Sequence, residues 1–374
     1  MKESYNYPLL KAITDAFPKS NKSLENVHIC ACQHLMEPQE KMFTLLSDFG
    51  IPKENMHMIG KIYSTSFEIL KELQDSGFDA KQPAFDHNIS FDNQHEENCE
   101  NLFSDFIKKL DGESVVIVID DGAELLNVFN EQKDKLPNAV KIIGIEQTSS
   151  GFRKLENQQL SFPIINVARS KIKLDKESPL IARLGCDRIE EVTRHYNITE
   201  PRILVVGLGP MGNNVMLILQ EAGYFIIGHD TAFHSEKELA DFIIENKINV
   251  LIGVTGKNIF TQEQAIKLNE KIADKVYLIS MSSSDREFPS MFLRGGNAKS
   301  EDSPHNDIVW NHLVLINNGF PITFKGKRYE STPIEIEKTI ALLYGSALYA
   351  CTSEITTSGF IDVPEIVTNV IEKQ

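Results

Sequence analysis

The stretch Arg202-Ile-Leu-Val-Val-Gly-Leu-Gly-Pro-Met-Gly-Asn-Asn-Val215 decides how this chain folds. Ile203 to Val206 is a short apolar run of the kind that forms a buried strand. Gly207, Gly209 and Gly212 then spell G-x-G-x-x-G, with Pro210 and Met211 between the second and third glycines. The chain passes into a helical pattern from Val215, which Gly223 ends. A second strand runs from Tyr224 to Ile227, and Asp230 follows it. Each part has a physical purpose in dinucleotide binding. The first glycine permits a tight turn, the second lets backbone approach a pyrophosphate, and the third lets helix pack on strand. The phosphates meet N–H groups at the helix N-terminus, and an acid about 20 residues on accepts from the ribose hydroxyls. Asp230 predicts NAD rather than NADP, because a 2′-phosphate would meet a like charge. The competing reading is a strand–helix–strand unit whose glycines serve packing alone. The strand before, the helix after and the acid in place favour a dinucleotide site.

The whole chain sets wider bounds. Its 374 residues predict two or three domains with ample cores. A composition of 41% hydrophobic and 24% charged residues is that of an ordinary globular protein. The formal net charge of −15 argues against nucleic acid or an anionic membrane as partner. No apolar run reaches the length of a membrane span, and the N-terminus has no signal-peptide core, so a cytoplasmic protein is expected. The five cysteines, at positions 30, 32, 99, 186 and 351, form an odd, scattered set that reads as reduced thiols. Cys30 and Cys32 share one face of a predicted strand. Without a matching second pair they read as core thiols, and no metal site is expected.

Before the glycine-rich turn the chain alternates strand and helix. A helix is expected from Tyr7 to Phe17, a strand from Val27 to Cys32, and a helix opening at Gln33 with Pro38 in its first turn. Met56 to Tyr63 reads as a strand, followed by a capped helix from Ser64. Residues 78–98 read as a polar loop whose His87 and His95 have no assigned role, and a helix spans Glu97 to Leu110. Ser114 to Ile119 reads as a central parallel strand. It ends in Asp120-Asp121-Gly122, at the edge where α/β folds bind ligands; a helix N-cap with a solvated neighbour is the alternative. Val140 to Ile145 is a strand leading into Glu146-Gln-Thr-Ser-Ser-Gly151, whose hydroxyls could cap a helix or bind a ligand. A strand from Pro163 and a charged loop over 168–179 lead to a long helix that begins at Pro179. Beyond Asp230, helices over Glu236–Asn246 and Thr261–Ala273 alternate with strands at Val250 and Val276. A last strand begins at His312, a β-hairpin is expected from Gly319 to Arg328, and the helices from Pro333 and Pro364 have no strand of their own. The expected domains are residues 1–190, 191–330 and 331–374, an α/β arrangement of doubly wound parallel sheets.

These pieces, in this order, resemble S-adenosylhomocysteine hydrolase, from about Val27 to about Tyr349. Ala31-Cys-Gln-His34 is similar to that family's strand-to-helix His motif. Ile62-Tyr-Ser-Thr65 resembles its Asn-Ile-(Phe/Tyr)-Ser-Thr segment, and Ile119-Asp-Asp-Gly122 its Leu-Asp-Asp-Gly-Gly-Asp. Gly144 to Gly151 resembles its Gly-x-x-Glu-Glu-Thr-Thr-Thr-Gly, and Val254-Thr-Gly-Lys257 its Thr-Thr-Gly turn. The resemblance implies a split substrate domain with an inserted Rossmann NAD-binding domain. It implies that His34 and Asp121 are catalytic, and that Ser64, Thr65 and Gln147 face substrate. Gly207, Gly209, Pro210, Met211, Gly212, Asp230, Thr148, Ser149, Ser150, Thr255 and Gly256 would hold NAD. It also implies a cycle in which a ribose 3′-hydroxyl is oxidised, a β-group leaves, water adds and the ketone is reduced.

The departures are concentrated in the substrate site. The family's catalytic Glu falls on Gln147, which takes no proton at neutral pH. Its Lys-Phe-Asp-Asn run falls on Pro179-Leu-Ile-Ala182, so the oxidising lysine is absent in that register; Lys171 or Lys173 could reach in, and Lys257 is a further substitute. Its Asn-Ile-Gly-His-Phe-Asp falls on Ser280 to Asp285, which puts Ser283 at the His position. The family's C-terminal tail, which closes the NAD site of a neighbouring protomer, has no counterpart before Gln374. This argues against that closure and leaves a homodimer open. The pattern is retained NAD binding with a rebuilt substrate pocket. It predicts an NAD-dependent enzyme acting on a hydroxyl of a nucleoside or other small polar metabolite and hydrolysing S-adenosylhomocysteine poorly. The alternative is an inactive relative that binds NAD or a nucleoside as a regulator, and the least favoured reading is the ordinary hydrolase.

Overall fold

A computed structural model describes residues 5–18, 23–230, 238–295 and 303–374, without the side chains of 175 and 176. Its strands are β1 (Val27–Cys32), β2 (Met56–Ile59), β3 (Asp79–Lys81), β4 (Val115–Asp120), β5 (Lys141–Glu146), β6 (Pro163–Asn166), β7 (Arg202–Val206), β8 (Phe225–His229), β9 (Val250–Gly253), β10 (Val276–Ser280), β11 (Ile308–Trp310), β12 (Leu313–Leu315) and β13 (Gly359–Ile361). They form two sheets, in the orders β13-β6-β5-β4-β1-β2-β3 and β11-β12-β10-β9-β7-β8. All pairs are parallel except β11 with β12. The fold is α/β with two doubly wound sheets.

The chain divides into two compact units. The first contains Met1–Ala84, His95–Glu177 and Lys327–Gln374; the second contains Phe85–Gln94 and Ser178–Gly326. The second is thus inserted in the sequence of the first, and the division falls inside the helix Lys171–His195. In the first unit the central strands are apolar on both faces, as fully covered parallel strands must be. Ile29, Ala31, Ile117 and Ile119 face one core, with the helix Pro333–Thr352. Cys30, Cys32, Val116 and Val118 face the other, with Phe103 and Phe106 of the helix Phe91–Phe106. In the second unit Leu204 and Leu251 face one core while Ile203, Val205, Val250 and Ile252 face the other.

In a doubly wound sheet the ligand crevice opens where the winding reverses. In the first sheet β1 leads to β2 on one side and has β4 on the other, so the reversal lies between the C-terminal ends of β1 and β4. In the second it lies between β7 and β9.

Several local expectations are corrected. The helix expected from Glu97 begins at Phe91. Two polar side chains of its first turns, Gln94 and Asn98, are buried rather than solvated. Gln94 donates to the carbonyls of Asp86 and Ile89 at 2.9 and 2.8 Å, and Asn98 brackets the backbone of Ala84, so these side chains satisfy the preceding loop. Pro179 lies inside the helix Lys171–His195 rather than at its start. Ile172 packs against the first unit's core, and tertiary contact outweighs the one hydrogen bond that proline removes. The hairpin over Gly319–Arg328 does not form. Asn317, Asn318 and Gly319 all have positive φ, and the Asn317 amide donates to the carbonyls of Pro321 and Phe324 at 2.9 and 3.0 Å, capturing groups a hairpin would pair. The short edge strands β3, β11 and β13 carry too few residues for a period to show, and β13 gives the C-terminal segment a strand beside β6.

Candidate functional site

The first unit gathers four polar side chains at its winding reversal. β1 ends at Cys32, and the chain continues through Gln33 and His34. Leu35 N–H donates to the Ser64 carbonyl at 3.1 Å, and Ser66 N–H donates to the Leu35 carbonyl at 2.8 Å, so the two segments run together. This places His34 Nδ1 2.5 Å from Ser64 Oγ. β4 ends at Asp120, and Asp121 N–H donates to the Cys32 carbonyl at 3.1 Å, which brings its carboxylate to the other side of the ring. His34 Nε2 lies 3.3 Å from Asp121 Oδ2, and Lys61 Nζ lies 2.5 Å from Asp121 Oδ1. Side-chain exposure is 14% for His34 against 6% for Asp121 and 5% for Lys61, so His34 is the member that can meet a ligand.

The electrostatics follow from burial and pairing. Burial alone would raise the Asp121 carboxyl, but Lys61 and His34 outweigh it and hold the group well below the usual carboxylate range. Burial likewise opposes charge on Lys61, and Asp121 reverses the effect and pushes the ammonium well above its ordinary value. The pair is therefore ionised, and Asp121 accepts from both neighbours. Asp120 is different. Burial, then the nearby Glu124, pushes its carboxyl up to about 7. Burial and Asp120 together push Glu146 well above its ordinary value.

Other expected substrate residues are more committed. Ser64 and Thr65 are fully buried; Ser64 is engaged by His34, and the Thr65 hydroxyl donates to the Lys61 carbonyl at 2.7 Å. Gln147 is buried, its N–H donates to the Asp120 carbonyl, and its side-chain oxygen has no hydrogen-bond partner among the described residues. Thr148 donates to Glu146 Oε1 and accepts from Gly151 N–H, each at 2.8 Å, capping the helix Ser149–Leu155. Ser149 and Ser150 are half-buried at its start. These hydroxyls belong to the first unit and the glycine-rich turn to the second. Lys173 pairs with Glu177 at 2.5 Å, and Lys171 is exposed.

Two residues escaped the sequence reading. Lys61 lies in an apolar segment read as strand, and its isolation among Ile59, Gly60, Ile62 and Tyr63 was the available signal. Gln33, next to His34, is fully buried with neither amide atom partnered among the described residues.

In the second unit the glycine-rich turn has the geometry its residues require. Gly207 has φ +104°, and a Cβ there would stand 2.8 Å from Thr255 Cγ2. A Cβ on Gly212 would collide with the Gly207 carbonyl oxygen, so helix Pro210–Glu221 sits directly against the turn. A Cβ on Gly209 would meet nothing within 4 Å, leaving open space at the helix start. Pro210 occupies the first helical position, where its missing N–H is no loss, and Met211 follows. Asp230 Oδ2 accepts from Leu208 N–H at 2.8 Å, so the acid ending β8 folds over the turn. Its neighbours 231–237 lie outside the described residues.

Thr255 and Gly256 follow β9 across the crevice. Their N–H groups donate to the buried Glu287 carboxylate at 2.7 and 2.6 Å, and Thr255 Oγ1 lies 3.1 Å from its other oxygen. Burial raises the Glu287 carboxyl, with the hydrogen bonds opposing. Lys257 and Ser283 are exposed. A separate cavity of about 560 Å³, lined by residues including Tyr196, Asn249 and Val276, lies at the opposite, N-terminal edge of this sheet, away from the turn.

Among solved structures the chain is similar to a dipicolinate synthase chain from Bacillus halodurans (12% identity, TM-score 0.42, covering 86% of this chain and 100% of that one). It is also similar to a 2-hydroxyacid dehydrogenase from Ketogulonicigenium vulgare Y25 (12% identity, TM-score 0.37, 90% and 98%). No protein-family model matches. In sequence it is 30% identical over 383 aligned positions to Uncharacterized protein Rv0104 of Mycobacterium tuberculosis strain H37Rv, covering 98% of this chain and 73% of the relative. Uncharacterized protein MT0113 of strain CDC 1551 matches over the same shares. With that identity across nearly its whole length, the chain belongs to the family of these mycobacterial proteins.

Proposed function

We propose that this protein is an NAD-dependent enzyme acting on a hydroxyl group of a nucleoside or another small polar metabolite, on the plan of S-adenosylhomocysteine hydrolase but with a rebuilt substrate site. The observation that carries the proposal is the His34–Asp121–Lys61 cluster at the first sheet's winding reversal. An imidazole fixed by Ser64 on one nitrogen and a carboxylate on the other is oriented for proton transfer. Lys61 keeps Asp121 ionised, so Asp121 accepts from Nε2–H, and the Nδ1 lone pair that faces Ser64 is the one that takes a proton when the Ser64 hydroxyl turns away; the charge of Asp121 then favours the imidazolium.

NAD, held at Gly207–Gly212 with Asp230 at the ribose, supplies the hydride acceptor. The residues fit it: Gly209 leaves room for phosphates, and Asp230 is in reach of the turn. Gln147 in place of the parent family's Glu supports loss of the parent reaction, since each acid–base group typically contributes roughly 10²–10⁴-fold. A small-molecule substrate rather than nucleic acid or membrane fits the net charge of −15, and no described helix is long and apolar enough to cross a membrane. Five free cysteines fit a cytoplasmic location. A homodimer is the proposed assembly.

The test is a screen of nucleosides and small polyols for reduction of nicotinamide, read by absorbance and fluorescence, beside a coupled thiol-release assay with S-adenosylhomocysteine. Reduction by at least one nucleoside or polyol, with negligible thiol release, is expected. Ordinary thiol release would restore the parent activity and sink the proposal. A second reading, a regulatory protein that binds NAD or a nucleoside without turnover, is favoured by the internal use of the Thr65 hydroxyl and the Thr255 and Gly256 N–H groups. Substituting His34 by Ala separates them: unchanged ligand binding with no turnover to lose supports the regulatory role.

A further inference from the structure

On the other face of the β1 end, Cys32, His95 and Cys99 point their ligating atoms to one place, all within 4.8 Å of one another. Cys32 comes from the strand, while His95 and Cys99 are four residues apart on the helix Phe91–Phe106 and so share one helical face. All three are buried, at 0%, 2% and 0% exposure. Cys32 Sγ lies 3.4 Å from His95 Nε2. Around zinc, with Zn–S about 2.3 Å and Zn–N about 2.0–2.1 Å, a tetrahedral S···N edge is about 3.6 Å. Cys32 is hydrogen-bonded to both His95 and the Cys99 thiol, and these contacts present three ligating atoms to one point, as a metal site requires.

An independent observation comes from the strand register. Asp120 pairs with Cys32, so both side chains leave the sheet on the same face. Asp120 is fully buried; one oxygen accepts from Leu126 N–H at 2.8 Å, and the other has no hydrogen-bond partner among the described residues. A buried carboxylate oxygen without a partner is costly and calls for a donor or a cation.

We propose that Cys32, His95 and Cys99 bind a divalent zinc ion as its three preplaced ligands; Asp120 lies outside the converging group, and its carboxylate would have to turn toward the metal to become the fourth donor. Two thiolates with an imidazole suit zinc better than a hard cation. Binding displaces the two thiol protons to solvent, and each sulfur then donates an electron pair to the metal with no change of oxidation state. The site is closed by burial and acts structurally. It ties the helix Phe91–Phe106 to the strand end that carries His34 two residues later, and it is independent of what substrate the protein takes.

The full-length protein, purified without chelator, is analysed for metals by inductively coupled plasma mass spectrometry. Metal-free protein is then titrated with Co(II) under reducing, anaerobic conditions. About one zinc per chain is expected, with thiolate-to-cobalt charge-transfer bands and tetrahedral ligand-field bands on titration. Cys99→Ser and His95→Gln lose the metal. Cys30→Ser, on the same strand face but outside the cluster, retains it. Absence of zinc together with absence of thiolate–cobalt bands overturns the assignment, and so does equal metal loss in Cys30→Ser. Since the cobalt spectrum is read on the unsubstituted chain, the result stands even where a variant fails to fold.

Discussion

Lys61 Nζ and Asp121 Oδ1 lie 2.5 Å apart with both side chains almost wholly buried, and Asp121 turns its second oxygen to His34. Removing one member of such a pair leaves a buried charge uncompensated, which costs about 3–5 kcal/mol. Lys61→Met is therefore expected to lower unfolding free energy by about that amount, while Lys61→Met combined with Asp121→Asn loses less than the sum of the single changes. Urea unfolding of the four proteins checks this. Additive losses would show that the two groups do not depend on each other.

His34 is the most accessible member of this cluster, and under the proposed function its role is chemical rather than structural. His34→Gln is expected to lower turnover by roughly 10²–10⁴-fold, leaving the thermal midpoint and bound NAD close to unchanged. Steady-state rates on the substrate found by the screen, with NAD content measured in parallel, test both halves.

Two glycines of the same turn should respond in opposite ways. At Gly209 an added methyl meets open space, so Gly209→Ala keeps its thermal midpoint and, under the proposed function, weakens NAD binding by intruding where the phosphates would lie. At Gly212 it meets the Gly207 carbonyl, so Gly212→Ala loses stability on the order of 1–3 kcal/mol, as overpacking does. Thermal unfolding and NAD titration separate the two effects.

Glu287 gives a pH signature to the second unit. Its folded carboxyl is raised by burial above the ordinary 4.5, so it binds protons more readily folded than unfolded. Its contribution to stability is present below the unfolded value and is lost as pH rises through the folded one. As pH rises from the ordinary carboxyl value of 4.5 through the raised folded one, the unsubstituted protein should therefore lose more thermal stability than Glu287→Gln does. Parallel curves would contradict this. The substitution preserves an acceptor for the Thr255 and Gly256 N–H groups, so the comparison isolates the charge.

The sequence carries the fold where local signals and packing agree. The apolar runs of β1, β4, β7 and β9 are long enough to read, and G-x-G-x-x-G has few other uses between a strand and a helix. His34 and Asp121 are legible because they follow such strands, where ligand edges form. Lys61 is not legible, because nothing local distinguishes a lysine that snorkels to solvent from one buried against a carboxylate sixty residues away. The cysteine–histidine cluster escapes for the same reason: Cys32 lies far in sequence from His95 and Cys99, and the segment around His95 looks solvated until Gln94 and Asn98 are seen satisfying backbone. The hairpin misread at Gly319 fails on Asn317, whose side chain competes for the carbonyls the hairpin needs.

The central claim is that this chain carries a dinucleotide as a working oxidant. The most direct measurement is to purify the protein, denature it and assay the supernatant for nicotinamide dinucleotide per chain, with added NAD and NADP titrated into the native protein alongside. NAD near stoichiometry, or tight rebinding of NAD in preference to NADP, is the expected result given Asp230 at the turn. No dinucleotide released and no binding of either form would contradict the claim.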